Sequence, residues 1–282
     1  MYNSGDTTYT SEEIMELVAK KPLSYSSLKS LKVSKLDYFV KNVLKLIKKE
    51  SDALTLGTVI DAITTKNYDT IGFLDDDFDG RKKECKEQLR KIKEAGKVPV
   101  KPKLLEKAMN ISAPLTALEE WKKCDYQVEL KGSFKTDYND NVESIPFLGY
   151  ADAIDHENKV IYDVKTYSLG TAKSIREAIY KSIKNYEYSI QAYLYKELAE
   201  QMYGEPYEFK FIFLRTDDYL FSSYIEAVDF DQCPDLKHKV KEYIKNGMHK
   251  YIELKNTGDL SVNTSDVLEE VSLGVYYLSD ID

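Results

Sequence analysis

The sequence predicts a mixed α/β fold: a mixed central sheet flanked by helices, with a helical N-terminal part. Three observations predict it. Up to about residue 124 the apolar residues recur at helical spacing, as at Ile14, Leu17 and Val18. From Asp125 the pattern becomes short runs of period-two alternation, at 127–137, 145–155 and 159–167. A long helical pattern then separates these runs from two more, at 208–215 and 221–230. Helices, three strands, a helix, two strands and a final helix make one layered domain.

The elements follow in order. Thr10-Ser11-Glu12-Glu13 opens the first helix. Ser24-Tyr-Ser-Ser-Leu-Lys starts a second, and 37–48 continues as a third. The stretch 52–65, with Val59, Ile60 and Ile63, reads as a buried helix. Segment 78–95 is charged and reads as an exposed helix, and 103–122 as another. The three strand runs are expected to be antiparallel, with turns at 137–141 and 155–158, both rich in Asp and Asn. The stretch 174–203 reads as one helix, closed by Gly204 and Pro206. Pro234 begins the last helix, to about 255, and an acidic tail follows with one apolar cluster, 275–278. The expected organisation is a single domain, 1–282: a helical part at 1–124, a core at 125–255 and a tail at 256–282.

Composition narrows the class. Hydrophobic residues make up 43% and charged residues 31%, which suits a globular chain and argues against wholesale disorder. No apolar run approaches the roughly 18 residues of a membrane span, so no membrane partner is expected. The N-terminal ten residues lack the apolar stretch of a secretory signal, and a cytoplasmic location is expected. Cys85, Cys124 and Cys233 are far apart and odd in number, against a disulfide framework. His156, His238 and His249 lack zinc-ligand spacing. The net charge of −8 argues against nucleic acid for the surface as a whole, but it permits a local basic groove.

The informative stretch is Gly149-Tyr-Ala-Asp152, then Asp163-Val164-Lys165 on the next strand. Asp163 and Lys165 are two apart and share a face. The turn between the strands brings Asp152 back beside Asp163. Carboxylates converging on one point repel each other unless a cation lies between them. Hard oxygen ligands suit Mg²⁺ or Mn²⁺. A lysine on the same face can orient or deprotonate a water, or stabilise a phosphate during substitution. A lone Asp-x-Lys is usually a solvated pair, but this strand is apolar on its other face at Val160, Tyr162 and Val164. Charges on a central strand require a reason.

At these residues the chain resembles the PD-(D/E)xK nuclease superfamily, and within it the RecE-like (exonuclease VIII) and RecB-type exonucleases. Ser24-Tyr-Ser-Ser-Leu-Lys resembles the family's S-x-S-x-L-K helix start. Leu56-Gly-Thr-Val-Ile-Asp61-Ala resembles its L-G-T-A-x-H-x-L helix. Glu129 matches an acidic position, and Tyr186 through Gln191 to Tyr195 resembles the Y-x-x-Q-x-x-x-Y helix.

The resemblance implies a restriction-endonuclease-like fold. It implies that Asp152, Asp163 and the carbonyl of Val164 bind Mg²⁺ or Mn²⁺ and that Lys165 is the catalytic lysine. Glu129 would place a second metal or its water. Gln191 and Tyr195, on one helix face, would bond the active-site strand or the DNA backbone. One departure is Asp61, which stands where the family has His and is expected to ligate metal directly or through water. Lys173, Arg176, Lys181 and Lys184 flank the site helix and are the candidate phosphate contacts. The implied activity is a phage-type DNA exonuclease. It would open duplex ends into single strands with 5′-phosphate products, beside a single-strand annealing recombinase. The expected assembly is a homo-oligomeric ring, trimer or tetramer, with the 275–278 cluster as its patch. The alternatives are an endonuclease of the same superfamily and a non-catalytic DNA-binding protein that keeps the fold.

Overall fold

The computed structural model describes residues 2–4, 7–47, 51–218 and 223–261. The cluster at 275–278 lies outside the described residues. The chain divides into two compact units, and the cut does not fall at residue 125. One unit comprises Met1–Lys48, Ser133–Phe147 and Lys241–Asp282; the other comprises Lys49–Gly132 and Leu148–Val240.

The first unit is mainly helical. A small antiparallel pair, β1 (Tyr2–Ser4) and β2 (Thr7–Tyr9), leads into α1 (Ser11–Ala19). Thr10 and Glu13 form a capping box, each side chain accepting from the other's backbone N–H. Ser24 caps α2 (Tyr25–Val33) by accepting from Ser27 N–H at 3.2 Å. The helix expected over 37–48 is shorter: α3 (Lys35–Tyr38) runs into a π-helical turn, Phe39–Val43. Lys35 is buried and is balanced by Glu253, 2.6 Å away. Tyr251, also buried, donates to the carbonyl of Lys21 at 3.2 Å.

The second unit carries the helices α4 (Asp52–Thr64), α5 (Lys83–Glu94), α6 (Pro102–Thr116) and α7 (Glu119–Lys122). Between them lie two short parallel strands, β3 (Ile71–Phe73) and β4 (Val98–Val100), which the sequence pattern did not announce. Three residues each are too few to establish a period. The single helix expected over 103–122 is two, α6 and α7, separated at Ala117 and Leu118.

The main sheet has the order β5–β6–β7–β8–β9. Its strands are β5 (Asp125–Tyr138), β6 (Asn141–Asp155), β7 (Val160–Tyr167), β8 (Glu208–Arg215) and β9 (Ser223–Ala227). Asn139 and Asp140 join β5 to β6, both at positive φ (47° and 63°), the backbone of a two-residue hairpin turn. β7 pairs antiparallel with β6 and parallel with β8, so the sheet is mixed. The crossover between the parallel strands is α8 (Ile175–Tyr186) and α9 (Tyr188–Tyr203). This is a correction to the single helix expected over 174–203. Glu187 is left-handed (φ 57°, ψ 37°), ending α8 and starting α9. No Gly or Pro marks the break, so the sequence carried no signal for it.

β8 explains the layering. Phe209, Phe211 and Phe213 point to one face, where Tyr188 and Tyr195 of α9 meet them. Ile212 and Leu214 point to the other, into a core with Val59 and Ile60 of α4, Ile111 and Leu115 of α6, and Trp121. A strand covered on both sides reads as a continuous apolar run, as Phe209 to Leu214 does apart from Lys210. The last helix, α10 (Pro234–Thr257), begins in this unit and ends in the first.

Trp121 holds α4 and β7 together. It is buried, donates Nε1–H to the carbonyl of Thr64 at 2.9 Å, and packs edge-on against Tyr162. Trp121→Ala should cost about 3–5 kcal/mol. That is a fall in Tm of the order of 10 °C at this chain length, read by calorimetry. Trp121→Phe, which loses the bond and only part of the ring, should fall between.

Candidate active site

The site is built on β7. The parallel register sets Asp163 beside Phe211 and Lys165 beside Phe213, so both project to the α9 face of the sheet. Asp163 is 1% exposed. Its Oδ2 pairs with Nζ of Lys165, and its Oδ1 accepts from Nε2 of Gln191 on α9. β6 supplies Asp152, just beyond the paired residues Ala153 and Tyr162. Asp152 Oδ2 accepts from the backbone N–H of Val164 at 2.6 Å, which ties the two strands at the site. Tyr195, one turn after Gln191, is buried and turns its ring against Gly149 of β6.

Asp61 reaches the same place from α4. It lines a cavity of about 170 Å³ with Gly57, Ile60, Val164, Lys165, Thr166 and Tyr188. Gln127 of β5 donates to Asp61 Oδ1 at 3.3 Å. Glu129 is not among the residues that line this cavity. Its carboxylate is held by Lys131 Nζ at 2.6 Å and by the hydroxyl of Tyr150 at 2.7 Å, and Tyr150 is 49% exposed. Lys173, Arg176, Lys181 and Lys184 are all exposed on α8 or just before it, and Lys181 pairs with Glu177 at 2.7 Å.

Two residues of the site were not legible in advance. Gln127 reads as an ordinary strand residue, but its backbone is left-handed (φ 51°), which breaks the alternation of β5 and re-aims its side chain. Tyr188 sits just past the unannounced break at Glu187, and its ring lies under the Lys165 ammonium, 5.0 Å from it.

The electrostatics follow from packing three aspartates around one lysine. Burial raises the Asp152 carboxyl well above the usual range, the charge of Asp163 raises it further, and Lys165 only partly offsets this. Burial raises Asp163 too, against the pull of Lys165 and Gln191. Asp61 is pushed up to about 6, first by burial and then by Asp163, with Lys165 and Gln127 opposing. Burial alone would lower Lys165, but Asp163 and Asp152 outweigh it, and the ammonium is held above the ordinary lysine value. Ionised together, these groups carry two surplus negative charges in a place where water screens poorly.

Among the described residues no three His, Cys, Asp or Glu side chains are drawn together as a ready-made metal cage. Asp163 is turned to Lys165 and Gln191, and Asp152 to Val164. The donor set is nonetheless of the kind that a hard divalent cation takes: oxygen ligands, surplus negative charge, and a buried Gln191 Oε1 with no hydrogen-bond partner among the described residues.

A family model described as PDDEXK-like domain of unknown function (DUF3799) matches residues 24–263. The chain belongs to this PDDEXK-like family. It is thereby a member of the PD-(D/E)xK nuclease superfamily, with the restriction-endonuclease-like fold, and nucleases of that superfamily depend in general on divalent metal ions. No curated protein matches it. Among solved structures, a protein from Eubacterium rectale described as "Putative exonuclease" matches with a TM-score of 0.55 at 16% identity, covering 91% of this chain and 87% of that one. That likeness concerns the fold. A structure described as SSO0001 matches at 12% identity with a TM-score of 0.28, over 80% of this chain and 84% of that one. Among the described residues of this family member, no helix is long and apolar enough to cross a membrane.

Gly149 explains how α9 comes so close to β6 in this PDDEXK-like chain. A Cβ there would stand 2.6 Å from Cε1 of the buried Tyr195 ring. Gly149→Ala should cost about 1–3 kcal/mol by overpacking. It should also displace the helix that carries Gln191. Urea unfolding reads the first effect and nuclease activity the second.

Proposed function

We propose that the protein is a divalent-metal-dependent deoxyribonuclease that degrades duplex DNA from its ends. The single observation that carries the reading is the joining of Asp152, Asp163, Lys165 and Gln191 on adjacent strands and α9, with Asp61 delivered from α4. Membership of the PD-(D/E)xK superfamily supports it.

Asp152, Asp163, the Val164 carbonyl and Asp61 would hold Mg²⁺ or Mn²⁺, which when bound supplies activated water and neutralises charge at the phosphate. Glu129, engaged with Lys131 and Tyr150, is left out of this set. Without metal, Asp163 and Asp152 hold the Lys165 ammonium above the ordinary lysine value; beside a bound cation the lysine would orient the attacking water or face the charge that develops on the phosphate. Gln191 fixes the carboxylate of Asp163, and Tyr195 with Gly149 fixes α9 against β6.

The test is digestion of linear and covalently closed circular duplex with Mg²⁺, comparing 5′-phosphate with 5′-hydroxyl ends. End-dependent loss of the linear form is expected, and equal attack on the closed circle would replace the exonuclease with an endonuclease. Action in recombination beside a single-strand annealing protein, and closure into a trimeric or tetrameric ring, belong to the same proposal. Light scattering reads the ring directly.

Asp61 has its own test. Asp61→Ala should weaken Mn²⁺ binding by calorimetry and slow cleavage. Asp61→His should recover part of both, since imidazole suits Mn²⁺ better than it suits Mg²⁺. An Asp61→Ala protein with unchanged metal affinity removes Asp61 from the ligand set.

A further inference from the structure

Helix α8 has a surface that the cleavage site does not explain. Arg176, Tyr180 and Lys184 stand at i, i+4 and i+8, so successive side chains are rotated by only about 40° and form one stripe. All three are exposed, and Tyr180 is 70% exposed, the most of any large aromatic among the described residues. Within α8 three cations stand against one carboxylate, in a chain of net charge −8. That carboxylate, Glu177, is already engaged by Lys181 and by the backbone N–H of Lys173.

The last residue of α8, Tyr186, lies off this stripe and leads to the catalytic cavity. The left-handed corner at Glu187 folds Tyr186 onto Tyr188, with ring centroids 5.5 Å apart and planes 25° apart. Tyr188 lines the cavity and lies beneath the ammonium of Lys165. One face of Tyr186 is therefore stacked, and 53% of the residue remains exposed. Solvent-exposed tyrosines interleaved with cations are the recognition chemistry of an unpaired strand: phosphates meet the cations and bases stack on the rings. A duplex cannot use the rings, because its bases are stacked on one another.

We propose that α8 and its corner with α9 form a single-strand platform. On this platform a nucleobase stacks on Tyr186 beside the cut site, another stacks on Tyr180, and Arg176 and Lys184 contact the backbone between and around them. The proposal rests on the nuclease reading and deepens it. The strand enters the site unpaired, so duplex ends are melted locally before they are cut.

The experiment uses the full chain with EDTA, so that nothing is cleaved, and fluorescence anisotropy of a labelled 12-residue oligothymidylate. Stacking is worth about 1–3 kcal/mol per base, so Tyr186→Ala and Tyr180→Ala should each weaken binding by about 5- to 150-fold. Tyr→Phe at either position keeps the ring and should keep the affinity. An abasic strand should bind wild-type protein as weakly as the Tyr180→Ala/Tyr186→Ala double variant binds the normal strand, and on the abasic strand the Ala variants should bind no more weakly than wild type. Arg176→Ala and Lys184→Ala should each lower the salt slope by about one. Ala variants that bind oligothymidylate as tightly as wild type, or a wild type indifferent to abasic sites, overturn the platform. Should Tyr186→Ala fail to fold, Tyr180→Ala and the abasic strand still decide the matter. Mg²⁺-dependent cleavage assayed in parallel separates the two readings. A protein that grips the strand through its tyrosines but cuts nothing ends the nuclease reading and keeps the platform. One that cuts while ignoring both substitutions ends the platform alone.

Discussion

Asp163→Asn should abolish metal-dependent cleavage and leave a folded protein that, without metal, melts higher than wild type. The carboxylate is buried, shares its surroundings with Asp152 and Asp61, and is raised in pKa with them. Replacing it by an amide of nearly the same volume removes one of the surplus negative charges and lowers the repulsion on the other two. The pH dependence has a definite sign. A carboxyl that holds its proton more tightly folded than unfolded contributes stability that is fully present below the unfolded value, about 4. That stability is lost as the pH rises through the folded value, about 6 for Asp61. Metal-free wild type should therefore lose stability between pH 4 and 6, and Asp163→Asn should flatten that loss. Calorimetric melts across this range, with and without Mg²⁺, measure it. Added Mg²⁺ should stabilise wild type and leave the variant unmoved. An Asn variant that still digests DNA at the wild-type rate would end the assignment of the site.

Lys165→Ala should lower the cleavage rate by about 10²–10⁴-fold while leaving metal affinity within a small factor of wild type. An ammonium is not a ligand, so what the substitution removes is the charge facing the phosphate. The lysine also balances Asp163, and its removal leaves that carboxylate with Gln191 as its remaining partner. The variant should thus be less stable than wild type without metal and regain stability when metal is added. This is the opposite of the behaviour expected of Asp163→Asn. Isothermal calorimetry for Mn²⁺ and single-turnover cleavage separate the two roles. Collapse of metal affinity with surviving turnover would exchange them.

The two variants also mark what could be read from residues alone. Asp163 and Lys165 share a face because strand side chains alternate, and the turn after Asp155 returns the chain within a few residues; both are local facts. The caps at Thr10 and Ser24, the strand runs and the i, i+4 pair Gln191 and Tyr195 are legible for the same reason. Each depends on near neighbours in the chain.

What local pattern could not show is where long-range packing overrides it. Glu187 breaks an unbroken helical pattern with neither Gly nor Pro. The break is held by what lies on either side: Tyr188 against Phe211 and Phe213, and Tyr186 against Tyr188. Gln127 leaves the alternation of β5 to meet Asp61, a residue 66 positions earlier in the chain. Glu129 stands where an acidic ligand was expected, but Lys131 and Tyr150 take its carboxylate at the surface. The sequence by itself determined that a paired-carboxylate strand and a lysine lie at the centre of an α/β core, because period and turn chemistry are properties of adjacent residues. The tertiary structure alone decided that Gln127 and Tyr188 join them and the Asp61 that the resemblance had pointed to, because these residues arrive from separate elements and only the packing of helices onto the sheet brings them together.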